Sequence, residues 1–124
     1  MHQSTPSLNL LVIRSAGIDR TAEFYRSAGV SLERHSHDGG PEHYAGDLSG
    51  CVFEIYPLQG AALSTQGVRF GLLVSSLDTI LPRIVEAGGV LIKPTHDSEW
   101  GRRAVVKDPD GHVVELLERS GVGG

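Results

Sequence analysis

The stretch Lys107-Asp-Pro-Asp-Gly-His-Val-Val-Glu-Leu-Leu-Glu118 decides the fold. Its first half is turn chemistry: proline presets φ, the aspartates bond nearby backbone, and glycine accepts positive φ. Its second half, Val113 to Leu117, is apolar and β-branched, which predicts a mostly buried strand. Glu115 stands inside that strand. A carboxylate among residues that seek burial is paired, ligates an ion or faces a wet cleft, so Glu115 marks a candidate site. His112, within the turn, is expected at the surface.

The same plan occurs earlier in the chain. In Ser49 to Leu58, SGCVFEIYPL, Gly50 precedes Glu54 as Gly111 precedes Glu115, and the two pairs lie 61 residues apart. Upstream, Leu10–Val30 runs parallel to Arg69–Val90, with Ile18 matching Leu77 and Ala28-Gly29 matching Ala87-Gly88 at an offset of 59. Self-similarity of this kind reads as a duplicated unit. Each half is predicted as a strand, a helix and three further strands.

Local signals give the elements. Leu10–Arg14 and Phe70–Val74 are short apolar runs, hence first strands. Ile18–Ser27 has helical spacing and stops at Ala28-Gly29. Ser76 suits the N-cap of the second helix, and Pro82 predicts a late start or a kink there, because proline lacks a donor and crowds the preceding turn. Val30–Arg34 and Val90–Lys93 are the predicted second strands, and His43–Leu48 and Arg103–Lys107 the third. Leu58–Gly67 reads as a linker, and Glu118–Gly124 as a loose tail.

The chain of 124 residues is long enough for one domain with its own core. A net charge of −4 argues against a nucleic-acid partner. No apolar run approaches the ~20 residues of a membrane span, and residues 1–7 lack signal-peptide features, so a cytoplasmic protein is expected. The single cysteine, Cys51, excludes an internal disulfide and a cysteine zinc site.

A duplicated βαβββ chain closing on Asp-Pro-Asp-Gly-His-x-Val-Glu-Leu resembles the vicinal oxygen chelate superfamily, which includes glyoxalase I, extradiol dioxygenases and bleomycin-resistance proteins. The resemblance spans about Leu8 to Glu118. It implies an α+β fold of two tandem βαβββ modules, each a half-barrel forming a cleft: module 1 at about 8–58, a linker at about 59–67 and module 2 at about 68–118. Relatives of this size pair as homodimers, often completing the site across the interface. In metal-dependent members a His or Gln from each first strand and a Glu from each last strand hold one divalent ion. The last-strand positions fall on Glu54 and Glu115. The first-strand positions are held by Leu10 and Arg69, and this is a departure: leucine has no lone pair and arginine stays protonated. Zinc and nickel favour nitrogen ligands in such a setting. Asn9, next to Leu10, points to the other strand face unless a bulge turns it.

Period-two alternation assigns faces. Phe70, Leu72 and Val74 should pack under a helix, with Arg69, Gly71 and Leu73 opposite. Phe53 and Ile55 oppose Val52, Glu54 and Tyr56; Val114 and Leu116 oppose Val113, Glu115 and Leu117. Arg69, Glu54 and Glu115 therefore share the cleft face, where the guanidinium forms either a structural ion pair or a functional cation. Arg69 is expected to contact at least one glutamate, at a cost of about 3–5 kcal/mol on removal if the site is dry.

Further candidates come from the loops. His35, His37 and His43 with Asp38 and Glu42 look like a metal cluster but fit solvated loop residues better. One of His43 and Tyr44 should face the cleft, as should one of Arg102 and Arg103, and whichever arginine does so could bind an anionic ligand; Arg103 is carried as the candidate. Trp100 is either a platform for a ligand or a plug over the barrel end. Three functions follow: a small-molecule-binding protein with no metal cofactor; a glyoxalase-like lyase, isomerase or dioxygenase using zinc, nickel, iron or manganese at Glu54, Glu115 and a histidine the sequence does not place; or an interaction module with a decayed site. The missing nitrogen ligands and the apolar cleft positions Leu10, Val12, Leu73 and Val113 favour the first.

Overall fold

The computed structural model describes residues 4–36 and 39–119. His37, Asp38 and the tail beyond Arg119 lie outside the described residues. The element order is β1 (Leu10–Ser15), α1 (Ile18–Ser27), β2 (Glu33–His35), β3 (His43–Leu48), β4 (Cys51–Pro57), β5 (Arg69–Val74), α2 (Leu77–Glu86), β6 (Val90–Ser98), β7 (Gly101–Lys107) and β8 (Val113–Glu118). They form two four-stranded mixed sheets, ordered β1-β4-β3-β2 and β5-β8-β7-β6. In each, the first strand runs parallel to the last, as in β1 with β4 and β5 with β8. This is βαβββ twice over.

The duplication extends to register. Val12 stands opposite Glu54 in module 1, and Gly71 opposite Glu115 in module 2. Pairing of β1 with β4 runs without a shift, so Asn9 gains no bulge to turn it into the cleft.

Several boundaries differ from the sequence expectation. The strand β2 covers only Glu33–His35, because Val30 and Leu32 leave the ladder and enter the core, 6% and 5% exposed. The strand β6 continues through Pro94 to Ser98 as an edge strand with two register shifts, a position where a missing donor is tolerated. The helix α2 starts at Leu77 rather than late, capped by Ser76, whose hydroxyl accepts from the Thr79 amide at 3.3 Å. Pro82 lies inside it. Asp78, whose carbonyl loses its i+4 donor to that proline, is exposed, so water can replace the bond.

One buried cluster takes residues from both modules, including Ile13, Phe24, Tyr25, Phe53 and Ile55 with Leu77, Ile84, Val114 and Leu116. The helices cover one face of each sheet. The alternation holds: Phe53, Ile55, Val114 and Leu116 are buried, whereas Val52 and Leu73 on the opposite faces are exposed. These opposite, open faces carry the candidate site. Among the described residues no helix is long and apolar enough to cross a membrane.

Candidate functional site

The open face of module 2 holds the clearest constellation. Arg69, first residue of β5, donates from Nε to Glu115 Oε2 at 2.5 Å and reaches the same oxygen with a terminal nitrogen. Arg103, on β7, bonds the other oxygen, Oε1. One carboxylate is thus shared by two guanidiniums. The hydrogen bond from Arg69 is the main reason the Glu115 carboxyl is held below the usual carboxylate range, with Arg103 adding to it against a smaller opposing effect of burial. Arg102, one residue away and on the other face, instead binds Asp78 and Glu118, as alternation requires.

Around this group lies a cavity of about 310 Å³ whose walls include Gly71, Leu73, Trp100, Leu116 and Leu117. Gly71 sits beside Glu115 in register, and a side chain there would project into the space. Trp100 is 67% exposed at the cavity rim. That exposure does not fit a plug; it leaves the indole free to stack on a guest.

Module 1 presents a different face. Glu54 sits there half-buried, with no hydrogen bond or ion pair among the described residues. His43 is buried and stacks on the Tyr56 ring, centroids 4.2 Å apart and planes within 7°. Arg14 lies 5.4 Å over the other partner of this stack, Tyr56. Tyr44 turns to the helix side, donating to Asp19 at 2.6 Å. Leu10 is 48% exposed at the start of β1. A wider hollow of about 630 Å³, lined by residues such as Leu11, Leu48 and Phe70, holds none of the candidate polar residues.

Two expectations are corrected here. Arg69 does not lie among two carboxylates: it pairs with Glu115 alone, because Glu54 belongs to the other sheet. The pair is also not dry, since the Arg69 side chain is 59% exposed. The cost of removing it therefore belongs with exposed ion pairs, about 0–1 kcal/mol, not with buried ones.

The sequence also misplaced His112, which is fully buried. Its Nδ1 lies 2.8 Å from Asp108 Oδ2, and its Nε2 2.6 Å from the Thr65 hydroxyl. The Asp108 carboxylate only accepts, so the ring donates from Nδ1, and in the neutral ring Nε2 accepts from the Thr65 hydroxyl, whose oxygen accepts the Arg14 amide at 2.8 Å. Tyr25 donates to the same Asp108 oxygen at 2.6 Å, and burial with this contact pushes the phenol pKa up. Asp110 accepts from the Ala16 amide at 2.8 Å and from the Thr21 hydroxyl, over the first turn of α1, where no side chain of α1's own N-cap does so and a negative charge suits the helix end. Donor atoms of Asp108, Asp110 and His112 lie within 4.8 Å of one another. All of them are engaged in these bonds, so the group works as a latch joining the last turn to module 1.

A family model described as the glyoxalase/bleomycin resistance protein/dioxygenase superfamily matches residues 7–116. With its paired βαβββ modules and their open faces, the chain belongs to that superfamily. It is 28% identical over 119 residues to a probable lactoylglutathione lyase of Vibrio cholerae, covering 86% of each chain. Among solved structures it resembles a glyoxalase-related enzyme from Fulvimarina pelagi, with a TM-score of 0.74 and 22% identity over 93% of this chain and 89% of that one. It also resembles the oxidase ChaP-H2, with a TM-score of 0.72 and 26% identity over 98% and 100%.

Proposed function

We propose that this chain is a small-molecule-binding protein that works without a resident metal, as a cytoplasmic homodimer. The observation that carries the reading is Glu115 held by two guanidiniums. A carboxylate so engaged is a poor ligand, because an incoming cation would have to displace both arginines and then sit beside them. Leu10 and Arg69 supply no lone pair, so the residues present do not fit the four-ligand metal site of the metal-dependent relatives. The apolar cavity beside Glu115 is at the small end of the range for ligand pockets.

The test is elemental analysis of purified protein with melting curves in added zinc, nickel, iron or manganese. A ligand of the folded state raises Tm by mass action. No stoichiometric metal and an unchanged Tm are expected. A bound ion that raises Tm and is lost on Glu54→Gln or Glu115→Gln overturns the reading. It would favour a metal-dependent lyase or dioxygenase, the alternative supported by likeness to the probable lactoylglutathione lyase.

The dimer rests on exposed apolar side chains away from the module 2 cavity, Leu10 and Val52 on the open face of module 1 and Val90 and Ile92 on the edge strand β6, at 39–55% exposure. A second copy covering them would bury on the order of 1,200 Å² or more. Light scattering is expected to give twice the 13.3 kDa chain mass; a monomer at micromolar concentration counts against it. The free Cys51 suits a reducing compartment.

A further inference from the structure

We infer that the module 2 cavity takes a flat apolar molecule bearing a single anionic group, with the anion at Arg103 and the body against Trp100 and Leu73. This deepens the binding reading and rests on it. The first support is charge. Two guanidiniums face one carboxylate, so the cluster carries a surplus of one positive charge (2 − 1), with Arg103 and Glu115 lining the cavity and Arg69 outside its lining. Among the described residues, Glu115 is the only acidic one lining that cavity.

The second support is donor capacity. Arg69 spends Nε and one terminal nitrogen on a single oxygen, and Arg103 spends one terminal nitrogen on the other. Each guanidinium has further N–H donors in its planar fork, and such a fork matches a carboxylate or sulfonate in shape. Glu115 acts as a holder: it fixes the Arg103 fork at the cavity wall, while Arg69 on its other oxygen offsets its charge.

The third support is the shape and lining. Apart from Arg103 and Glu115, the walls are leucines, Gly71 and the Trp100 indole. The missing side chain at Gly71 leaves open space beside the Glu115 backbone, 3.5 Å from where a Cβ would stand. Trp100 offers a ring face at the rim, which stacks on planar guests. A polar, branched or doubly charged guest would leave either the leucines or its own second charge uncompensated.

The experiment uses the native full chain with 2-naphthoate and its neutral isostere 2-naphthamide. Binding is read by titration calorimetry and by the indole N–H resonance of Trp100, the single tryptophan of the chain. One charge-assisted contact predicts roughly tenfold tighter binding of the carboxylate. Glu115→Gln frees both forks and should tighten naphthoate further; Arg103→Gln should erase the preference; Gly71→Leu should block both probes. If the amide binds as well as the carboxylate, the anion assignment falls while the cleft reading stands. If neither probe shifts Trp100 at millimolar concentration, the cleft reading itself falls. A Glu115→Gln variant that binds naphthoate more weakly would overturn the role given to Arg103, and circular dichroism separates that result from misfolding.

Discussion

Replacing Asp108 with alanine is expected to lower stability by about 3–5 kcal/mol, although the residue lies in a turn. Asp108 is 2% exposed, and its two oxygens accept four hydrogen bonds: from Tyr25, from the His112 ring, and from the amides of Asp110 and His112. Alanine strands the Tyr25 hydroxyl and the His112 ring together, and each buried group left unpaired costs about 1–3 kcal/mol. Denaturant unfolding followed by circular dichroism measures the loss; a variant with the parent midpoint would show that the latch contributes nothing.

The same carboxylate sets an acid limit. Burial alone would raise the Asp108 pKa, but hydrogen bonds from His112 and Tyr25 outweigh it and hold it below the ordinary value of 3.8. A carboxyl depressed on folding contributes stability that is complete above the unfolded-state pKa and is lost as pH falls through the folded one. The Asp108 contribution is therefore fully present at neutral pH and drains away below about pH 4.

The latch also shows where sequence reading stops. Turn chemistry at Asp108–Gly111 is local and was legible from four residues. Burial of His112 was not, because its partners are distant: Thr65 lies 47 residues back, and Tyr25 lies 83 residues before Asp108. The available signal was a histidine directly between a turn and a buried strand, at a point where the chain enters the core. The glutamates present the same contrast. Alternation put Glu54 and Glu115 on open faces correctly, since period two is a property of the strand itself. It could not tell that the two faces belong to separate sheets, nor that Arg69 and Arg103 converge on Glu115. Those facts depend on how whole modules pack. The late start suggested by Pro82 fails for a related reason: a proline penalty read from local geometry ignores that an exposed carbonyl at Asp78 can turn to water.

Phe53→Ala and Leu73→Ala separate the two faces by energy. Phe53 on β4 is fully buried, with its ring centroid 4.9 Å from Tyr25 of α1 and 6.0 Å from Phe70 of β5. It therefore touches the helix of its own module and a strand of the other. Truncation removes the transfer free energy of the ring and leaves a cavity that two sheets and a helix cannot easily close. Such changes cost about 3–5 kcal/mol. Leu73 on β5 is a leucine in a strand of similar length, yet it stands 51% exposed on the open face, and its truncation should cost less than about 1 kcal/mol. The pair tests more than burial. Because Phe53 joins the modules, its loss should shift the unfolding of both together in one transition, whereas two independent half-cores would give a destabilised module 1 beside an unchanged module 2. Amide hydrogen exchange resolved by strand distinguishes these results, with protection in β8 falling alongside that in β4 if the core is shared. Leu73→Ala, sparing the fold, should be felt where the ligand is: in weaker binding at the module 2 cavity. A Leu73 variant as unstable as the Phe53 variant would mean that the open face is a core surface and not a binding face.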